Sequence, residues 1–363
     1  MAKKLSSDIG LLAITIALSG LGLVMVWSAS SALAQEVHGN AQYFLIKQVF
    51  WTVLGLIAMV AALRVDYRLL RQSAVVYGVA VSTSLLLVIV LFLPPVNDTH
   101  RWIRFGALSF QPAELAKVSL ILFLAYHLER KAERVSEFLT SLFPALLLLG
   151  WFVFLIYIQP DLGSAAALVL LAAAMFFLAG VRLRYFAALG LPALAVLYQA
   201  VMAAAYRRDR IEAFLNPWSD ARGTGYQIIQ SLIAVGTGGL TGVGIMEGRQ
   251  KLFYLPYPYS DFIYAVIGEE LGLLGAAAVL GAFVLLLWRG LRAAWKAPDA
   301  FGTYLAAGLT LQIAIQALIN MSVVLGLAPT KGIPLPFISA GGSSLVLTLL
   351  SVGLVVNISQ HAD

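Results

Sequence analysis

Residues 265–288 read AVIGEELGLLGAAAVLGAFVLLLW, an apolar run interrupted near its start by two glutamates. A helix needs about 20 apolar residues to cross a bilayer, and this stretch is long enough. Backbone polar groups in lipid must be paired within the protein, which leaves helices or closed barrels. Its Leu, Ala and Val runs do not alternate with polar residues as barrel strands do. The stretch therefore predicts a transmembrane helix.

The composition extends this prediction to the whole chain. Of its 363 residues, 61% are hydrophobic and only 12% are charged, whereas a soluble domain is roughly half apolar and about a quarter charged. No polar segment is long enough to form a separate soluble domain, so residues 1–363 are predicted to form one membrane domain. The absence of cysteine excludes disulfides, thiol chemistry and cysteine metal sites. The four histidines are scattered, which argues against zinc.

The fold class predicted is all-α, a polytopic integral membrane protein with about ten transmembrane helices. The predicted spans are 9–33, 48–63, 73–93, 113–128, 139–158, 162–180, 186–205, 262–288, 303–325 and 343–358. The first is longer than the apolar core of a signal peptide, which has about 7–15 residues, so we interpret it as an uncleaved span. A long loop, 206–261, connects the seventh and eighth spans and is predicted to contain short helices at the membrane interface.

Basic residues in alternate short loops predict that both termini are cytoplasmic. They are Lys3, Lys4, Arg64, Arg68, Arg71, Arg130, Lys131, Arg134, Arg182, Arg184, Arg289, Arg292 and Lys296. The long loop then lies outside. Within it, GTGGLTGVG at 236–244 lacks the Gly-Lys-Ser/Thr ending of a phosphate-binding P-loop.

Further cations occur in the segments predicted to lie outside. Arg101, Lys251 and Lys331 are isolated among Gly, Pro and aromatic residues. Arg and Lys are the usual partners of phosphate, so these positions are interpreted as an anion site. The run from Arg207 to Arg210 is better explained as solvated surface.

Several charged residues lie in or beside predicted spans. Glu114 and Lys117 are spaced i, i+3 and share a helix face, which favours a structural ion pair over a catalytic role. Asp161 follows a proline at a span boundary and is interpreted mainly as a helix cap. Glu269 and Glu270 have a structural or a direct role, and the residues alone leave both open.

Asp261 immediately precedes the predicted span 262–288, which contains the opening stretch. The residues alone are equally consistent with an N-cap and with a catalytic carboxylate. The cations expected on the same side and the cavity-forming loop before it favour catalysis. Partial desolvation raises a carboxyl pKa toward the range of a general base.

Long motifs, spread nearly end to end and in order, resemble the SEDS family (shape, elongation, division and sporulation), the group of RodA, FtsW and SpoVE. They are RWIRFGALSFQPAELAK, QPDLGSA, NPWSDARGTGYQIIQSLIAVGTGGLTGVG, QKLFYLPYPYSDFIYAVIGEELG and NMSVVLGLAPTKGIPLPFISAGGSS. Two positions depart from the family pattern. Ala340 stands where Tyr is usual, and PYPYS stands where Glu-x-His-Thr usually precedes the Asp-Phe, which puts the hydrogen bonding of Asp261 in question. GIPLPFIS looks more like RodA, while PTKG is also common in FtsW, and the balance leans to RodA.

The resemblance implies a peptidoglycan glycosyltransferase that polymerises lipid II at the outer face of the bacterial cytoplasmic membrane. Asp261 matches the aspartate held essential in the family, and we interpret it as the general base. Arg101, Lys251 and Lys331 are the candidates for stabilising the leaving pyrophosphate, with Gln250 and Ser343 as further substrate-binding candidates. Supporting roles are assigned to four residues: Glu114, Lys117, Asp161 and Glu270.

The partners implied are lipid II, the nascent glycan strand, a class B penicillin-binding transpeptidase and membrane proteins of the elongation complex, with no nucleic acid. No cofactor is predicted. A carboxylate near a pyrophosphate can hold a divalent cation, but one aspartate is thin evidence for a metal.

Two other functions use the same features. A flippase for lipid-linked precursors would also need ten spans, intramembrane charges and a groove, but it needs a polar path through both leaflets. A scaffold that only recruits the transpeptidase has no need for Asp261.

Overall fold

Helices form almost all of the regular structure in the computed structural model, which describes residues 8–95, 99–106, 108–135 and 137–361. They are α1 Ile9–His38, α2 Tyr43–Arg64, α3 Ser73–Ile89, α4 Pro112–Arg130, α5 Phe143–Ile158, α6 Leu162–Leu178, α7 Leu183–Met202, α8 Ala205–Leu215, α9 Tyr226–Thr237, α10 Ile263–Trp295, α11 Ala300–Val324 and α12 Ser343–Ser359. Ten of them overlap the ten predicted spans, and α8 and α9 are short helices in the long loop. The predicted all-helical membrane fold is confirmed.

Within the described residues, seven helices are long and apolar enough to cross a membrane, and α6 and α12 are shorter apolar helices. The tenth helix that overlaps a predicted span is α4, which carries Glu114 and Lys117. The number ten therefore remains a prediction. Lys3 and Lys4, which the orientation prediction used, lie outside the described residues, and so does the side chain of Arg134.

One element was not predicted from the sequence. Strands β1 Ile103–Phe105 and β2 Leu108–Phe110 form an antiparallel hairpin, in which Ile103 is opposite Phe110. Each strand has only three residues, too few to show an alternating pattern that would distinguish it from a loop.

Helix α11 lies at the centre of the bundle and packs against α4, α6, α10 and α12. Around it, α2 packs closely on α12 because small residues let the backbones approach. A Cβ at Gly353 would lie 2.6 Å from the Met59 carbonyl oxygen, so glycine is required for this contact. Such small-residue contacts are the usual way that helices pack inside a membrane.

The connections gather at two ends of the bundle. Segments 99–106, 108–111, 159–161, 257–262 and 328–342 lie together at what we call the site end. At the opposite end, the Tyr67 hydroxyl donates to Asp299 Oδ2 at 2.6 Å and the Tyr67 N–H donates to Asn357 Oδ1 at 3.2 Å. Three of the basic residues used for orientation are paired in or near this end: Arg68 with Asp299, Arg71 with Glu129 and Arg289 with Asp8.

Helix α10 is broken inside its apolar stretch, at Gly272, where φ is 66° and ψ is −166°. The glycine loop, residues 238–244, packs against this break. Four backbone hydrogen bonds join them: Val243 N–H to Glu269 O (3.0 Å), Gly244 N–H to Glu270 O (3.1 Å), Leu273 N–H to Gly239 O (2.9 Å) and Leu274 N–H to Leu240 O (3.1 Å). The loop therefore supplies partners for backbone groups that the break leaves unpaired, which is the condition for irregular backbone at membrane depth.

We expect Gly272→Ala to destabilise the protein, because alanine at a positive φ is strained and its Cβ would crowd Leu240 O at 2.6 Å. Strain of about 1–3 kcal/mol in this glycine-only backbone region and crowding of about 1–3 kcal/mol predict a loss of at least about 2 kcal/mol. Thermal unfolding in detergent, followed by tryptophan fluorescence, measures it. Gly281→Ala is the control, since it lies in the same helix with no neighbouring atom within 4 Å of its Cβ. Equal melting temperatures for the two variants would contradict the importance of the break.

Candidate functional site

Asp261 lies two residues before α10, in the irregular segment that follows the glycine loop. Phe262, not Asp261, occupies the N-cap position, and no side chain caps this helix end. The capping interpretation of Asp261 is therefore wrong in this structure. Residue Asp261 as a whole is partly buried.

Burial raises the pKa of Asp261 to about 6, although Lys331, a hydrogen bond from Ser260 and Arg210 all act to lower it. A base is most effective when its pKa lies near the working pH. The Asp261 carboxyl group therefore exchanges its proton close to neutral pH.

The backbone just before Asp261 is held by the signature loop, residues 328–342. The Ser339 hydroxyl donates to Ser260 O at 2.6 Å, and the Ala340 N–H donates to Tyr259 O at 3.0 Å. Because Ala340 donates through its backbone N–H, this contact is made even though alanine stands where the family usually has tyrosine.

The other departure from the family pattern, PYPYS, places Tyr259 against α2. Its ring stacks on Phe44, with centroids 4.5 Å apart. This contact and the two carbonyl bonds hold the segment without the side chains usual in the family. Tyr257, two residues before Tyr259, is exposed and has a positive φ of 52°.

A cation cluster surrounds Asp161 beside this segment. Lys331 Nζ lies 2.6 Å from Asp161 Oδ1, and Arg101 Nε lies 3.9 Å from Oδ2. The Arg101 guanidinium also donates to the carbonyl oxygens of Gln159 and Pro160. Burial alone would raise the pKa of Asp161, but Lys331 and Arg101 outweigh burial and lower it to about 2. Asp161 is therefore a fixed negative charge that holds two cations.

Asp161 also caps α6, as its sequence context predicted. It accepts from the Ser164 N–H at 3.1 Å and from the Ser164 hydroxyl at 2.8 Å. Gln111 reaches Asp161 Oδ2 through its side-chain amide at 3.4 Å, and its backbone N–H donates to Ser343 Oγ at 3.2 Å. Ser343, a substrate-binding candidate, therefore lies at the edge of the cation cluster.

Arg210 is exposed, as the sequence predicted for this run, and the structure also brings it near Asp261. Its guanidinium donates to Thr330 O at 3.4 Å, next to Lys331, and its charge acts on Asp261. Nothing in the sequence distinguished it from Arg208. Arg208 and Arg210 both lie in α8, and the way this helix is placed brings Arg210 to the signature loop.

Lys251 is placed differently from Lys331. Its ammonium is buried, 2.6 Å from Glu270 Oε1 and 2.8 Å from Ser28 Oγ. Glu269 accepts backbone N–H groups of Arg249, at 2.8 Å, and Gln250, at 3.2 Å. Of the two roles left open for these glutamates, the structure shows the structural one: they hold the segment between the glycine loop and Asp261. Because the buried ammonium of Lys251 is committed to Glu270, we assign it no substrate contact. Gln250 remains a predicted substrate-binding residue, and its side-chain oxygen is buried with no hydrogen-bond partner among the described atoms.

Glu114 and Lys117 form the predicted ion pair, 2.8 Å apart, with each side chain only 6% exposed. The Ser344 hydroxyl donates to Glu114 at 2.8 Å, and Lys117 donates to Gln316 Oε1 at 2.6 Å. Gln316 in turn donates to Pro334 O in the signature loop at 3.0 Å. The buried pair is thus part of a hydrogen-bonded chain that reaches the loop holding Asp261.

This ion pair lines a small cavity of about 30 Å³. Gln111, Ser164, Gln312 and Gln316 add polar groups to its wall, and Gly332 lies on its boundary. A Cβ at Gly332 would lie 2.7 Å from Asp261 Oδ2. The carboxylate of Asp261 therefore lies where this polar cavity meets the signature loop. Over the part of the chain that the structure describes, no three His, Asp or Glu side chains group as metal ligands.

Comparisons with known proteins agree with the motifs. The family model described as "Cell cycle protein", for FtsW, RodA and SpoVE, matches residues 10–363. The chain is 45% identical to "Probable peptidoglycan glycosyltransferase FtsW" of Geobacter sulfurreducens, over 98% of this chain and 95% of that protein. It is 43% identical to "Stage V sporulation protein E" of Bacillus subtilis, over 99% of each.

Solved structures show the same fold. One, described as "Structural coordination of polymerization and crosslinking by a peptidoglycan synthase complex", is 30% identical with a TM-score of 0.79 over 98% of each chain. The rod shape determining protein RodA of Thermus thermophilus is 29% identical with a TM-score of 0.72, over 98% of this chain and 97% of that one. Because FtsW, sporulation and RodA names all occur among these proteins, the leaning to RodA remains a prediction. The chain, a multi-pass membrane protein, belongs to the FtsW/RodA/SpoVE family, the SEDS family.

Proposed function

We propose that this protein is a peptidoglycan glycosyltransferase that polymerises lipid II into glycan strands. The observation that carries the proposal is the Asp261 carboxyl, which lies against Gly332 on the boundary of a polar cavity and has its pKa raised to about 6. Curated relatives at 45% identity over nearly the whole chain are named for the same activity.

The reaction joins two sugars and releases a lipid pyrophosphate. The 4-hydroxyl of the acceptor GlcNAc attacks the anomeric carbon of the donor sugar and gives its proton to Asp261. The bond between that carbon and the pyrophosphate oxygen breaks, and the electron pair leaves with the undecaprenyl pyrophosphate. With a pKa of about 6, Asp261 is mostly ionised at neutral pH and available as the base.

Lys331 and Arg101 are assigned to the pyrophosphate. Cations that are already in position where negative charge develops lower the barrier without reorganisation. Asp161 holds both of them through contacts of 2.6 Å and 3.9 Å. One carboxylate against two cations leaves a net positive charge, and the nearby Arg210 adds another. The cluster can therefore hold its shape before the substrate binds and still attract an anion.

The site end is assigned to the outer face of the bacterial cytoplasmic membrane, with both termini in the cytoplasm. Basic side chains at the opposite end support this orientation through the positive-inside rule. Lipid II would place its tail between helices and its sugars near Asp261. A class B penicillin-binding transpeptidase is the expected partner, in keeping with the similarity to a chain of a peptidoglycan synthase complex.

A flippase for lipid-linked precursors is the alternative, and a reaction without a bilayer separates the two. The purified protein is given lipid II in detergent, with and without the transpeptidase, and products are separated on a gel. Polymer supports the transferase, because detergent leaves no membrane to flip across. Absence of polymer in both reactions favours the flippase.

Asp261→Asn should fold and bind its partner but polymerise lipid II at least about a hundredfold more slowly, since a general base contributes about 10²–10⁴-fold. The backbone carbonyl that Asn320 binds is unchanged by this substitution. In the parent protein, activity should fall as the pH drops through about 6, because protonated Asp261 cannot accept a proton. Asp209→Asn, an exposed change in α8, is the control. A well-folded Asp261→Asn protein with near-parent rates would refute the base assignment.

Neutralising the cations tests the anion site. Lys331→Met and Arg101→Gln should each lower turnover, because each removes charge assigned to the leaving pyrophosphate; a group acting at such a site contributes about 10²–10³-fold. Arg208→Gln, an exposed change two residues before Arg210, should leave turnover unchanged. Initial rates with lipid II measure the effect. Equal, small effects in all three variants would mean that the anion site is assigned wrongly.

Glu114 and Lys117 are proposed to support the cavity without taking part in chemistry. Glu114→Gln or Lys117→Met alone leaves an uncompensated charge where both side chains are 6% exposed, at a cost of about 3–5 kcal/mol. The double variant should lose less than the sum of the single losses. A double-mutant cycle on thermal stability and activity checks this, and strictly additive losses would count against the pair.

A further inference from the structure

Asn320, near the end of α11, contacts both halves of the site and has so far been given no role. Its side chain is 1% exposed. The amide nitrogen donates one hydrogen to Asp261 O at 2.8 Å and the other to Ile333 O at 2.7 Å. Ile333 lies two residues after Lys331. One buried amide therefore ties the backbone of the proposed base to the backbone beside the proposed anion-binding lysine.

Only one orientation of this side-chain amide fits its neighbours. Its oxygen, Oδ1, is buried and has no hydrogen-bond partner among the described atoms. Turning the amide over would place that oxygen against two carbonyl oxygens, which are acceptors only. The two donor contacts are thus made while the amide oxygen stays buried and unpaired. A buried polar atom without a partner in a native structure calls for an explanation.

Gly332 lies between the two tied segments and leaves space for the carboxylate. The three atoms nearest to a Cβ built at Gly332 all belong to the Asp261 carboxyl group, at 2.7, 3.4 and 3.7 Å. The backbone of Gly332 is not in the left-handed region. Close approach of the carboxylate, and not backbone conformation, therefore accounts for glycine here.

We propose that Asn320 is a positioning residue that sets the spacing between the Asp261 carboxylate and the Lys331 ammonium. The inference rests on the proposed function, in which the two groups act in one step. The base works at the incoming hydroxyl and the cation works at the leaving pyrophosphate, on opposite sides of the same anomeric carbon. Their separation must match that geometry, and a misplacement of about 1 Å can cost about 10²-fold in rate.

Other contacts reach these groups but do not set this spacing. Ser339 and Ala340 bind the carbonyl oxygens of Ser260 and Tyr259, ahead of the base. The charged and titratable groups that face Asp261 are Lys331 and Arg210, with Tyr259 beside it and Asp161 behind Lys331. Among the described hydrogen bonds, Asn320 supplies the side-chain contact shared by the Asp261 and 331–333 backbones.

The test uses Asn320→Leu, which keeps the size of the side chain and removes both donors. Purified full-length variants are assayed with lipid II at several concentrations and pH values. We expect kcat to fall by about tenfold to a hundredfold with little change in KM. The acid midpoint of the pH profile should move upward, because Lys331 lowers the pKa of Asp261 and a wider spacing weakens that effect. Loss of folded protein alone would lower kcat without moving the midpoint.

Ser231→Ala is the matched control. It removes one buried hydrogen bond, from Ser231 Oγ to Val324 O at 2.7 Å, at the end of the same helix α11 but away from Asp261. It should leave KM and the pH midpoint at parent values. Gly332→Ala keeps both Asn320 contacts and pushes a methyl group against the carboxylate, so it should lower kcat as Asn320→Leu does.

The outcomes are decisive in each case. A folded Asn320→Leu protein with parent kcat and parent pH midpoint overturns the inference. If that variant does not fold, Asn320→Ser, which keeps one donor, takes its place under the same criterion. An inactive Asp261→Asn beside fully active Asn320 variants refutes only the positioning role, whereas a fully active Asp261→Asn refutes the base assignment itself.

Discussion

The requirement that backbone polar groups be paired inside a membrane governs this structure. Helix α10 breaks at Gly272 within its apolar stretch, and the glycine loop supplies the missing partners through four backbone hydrogen bonds. That contact fixes where the loop enters the bundle. Glu269 and Glu270, at the break, then hold residues 246–251 through backbone N–H groups and Lys251. The start of the segment that leads to Asp261 is therefore anchored at the break in α10.

Two aspartates near one lysine have opposite properties because their surroundings differ. Asp161 contacts Lys331 directly and has Arg101 nearby, so its pKa is lowered to about 2. Asp261 is influenced by the same lysine from farther away, and burial raises its pKa to about 6. The first is a permanent countercharge that organises cations, while the second can exchange a proton near neutral pH. Such divergence of paired carboxyls is a common means of assigning separate roles in catalysis.

Local patterns in the sequence predicted the features that depend on neighbouring residues. Hydropathy located the helices because span length is set by the thickness of the bilayer. The i, i+3 spacing of Glu114 and Lys117 predicted their ion pair, since residues three apart share a helix face. The position of Asp161 after Pro160 predicted its cap. The short β-hairpin and the approach of Arg210 were missed because three-residue strands and one arginine among several carry no distinguishing local signal.

Sequence alone determined the class of protein, the positions of the helices and, by resemblance, the candidate aspartate. Only the tertiary structure decided which charges are available to a substrate. Lys251 and Lys331 are both isolated cations in the sequence, and each is paired with a carboxylate at 2.6 Å. Lys251 is buried against Glu270, with its side chain 5% exposed, whereas the side chain of Lys331 is 18% exposed beside Asp161. Asn320 likewise gained its role from carbonyl groups 59 and 13 residues away. The reason is physical: pairing of buried charges and donors depends on which helices pack together, and that is a property of the folded bundle.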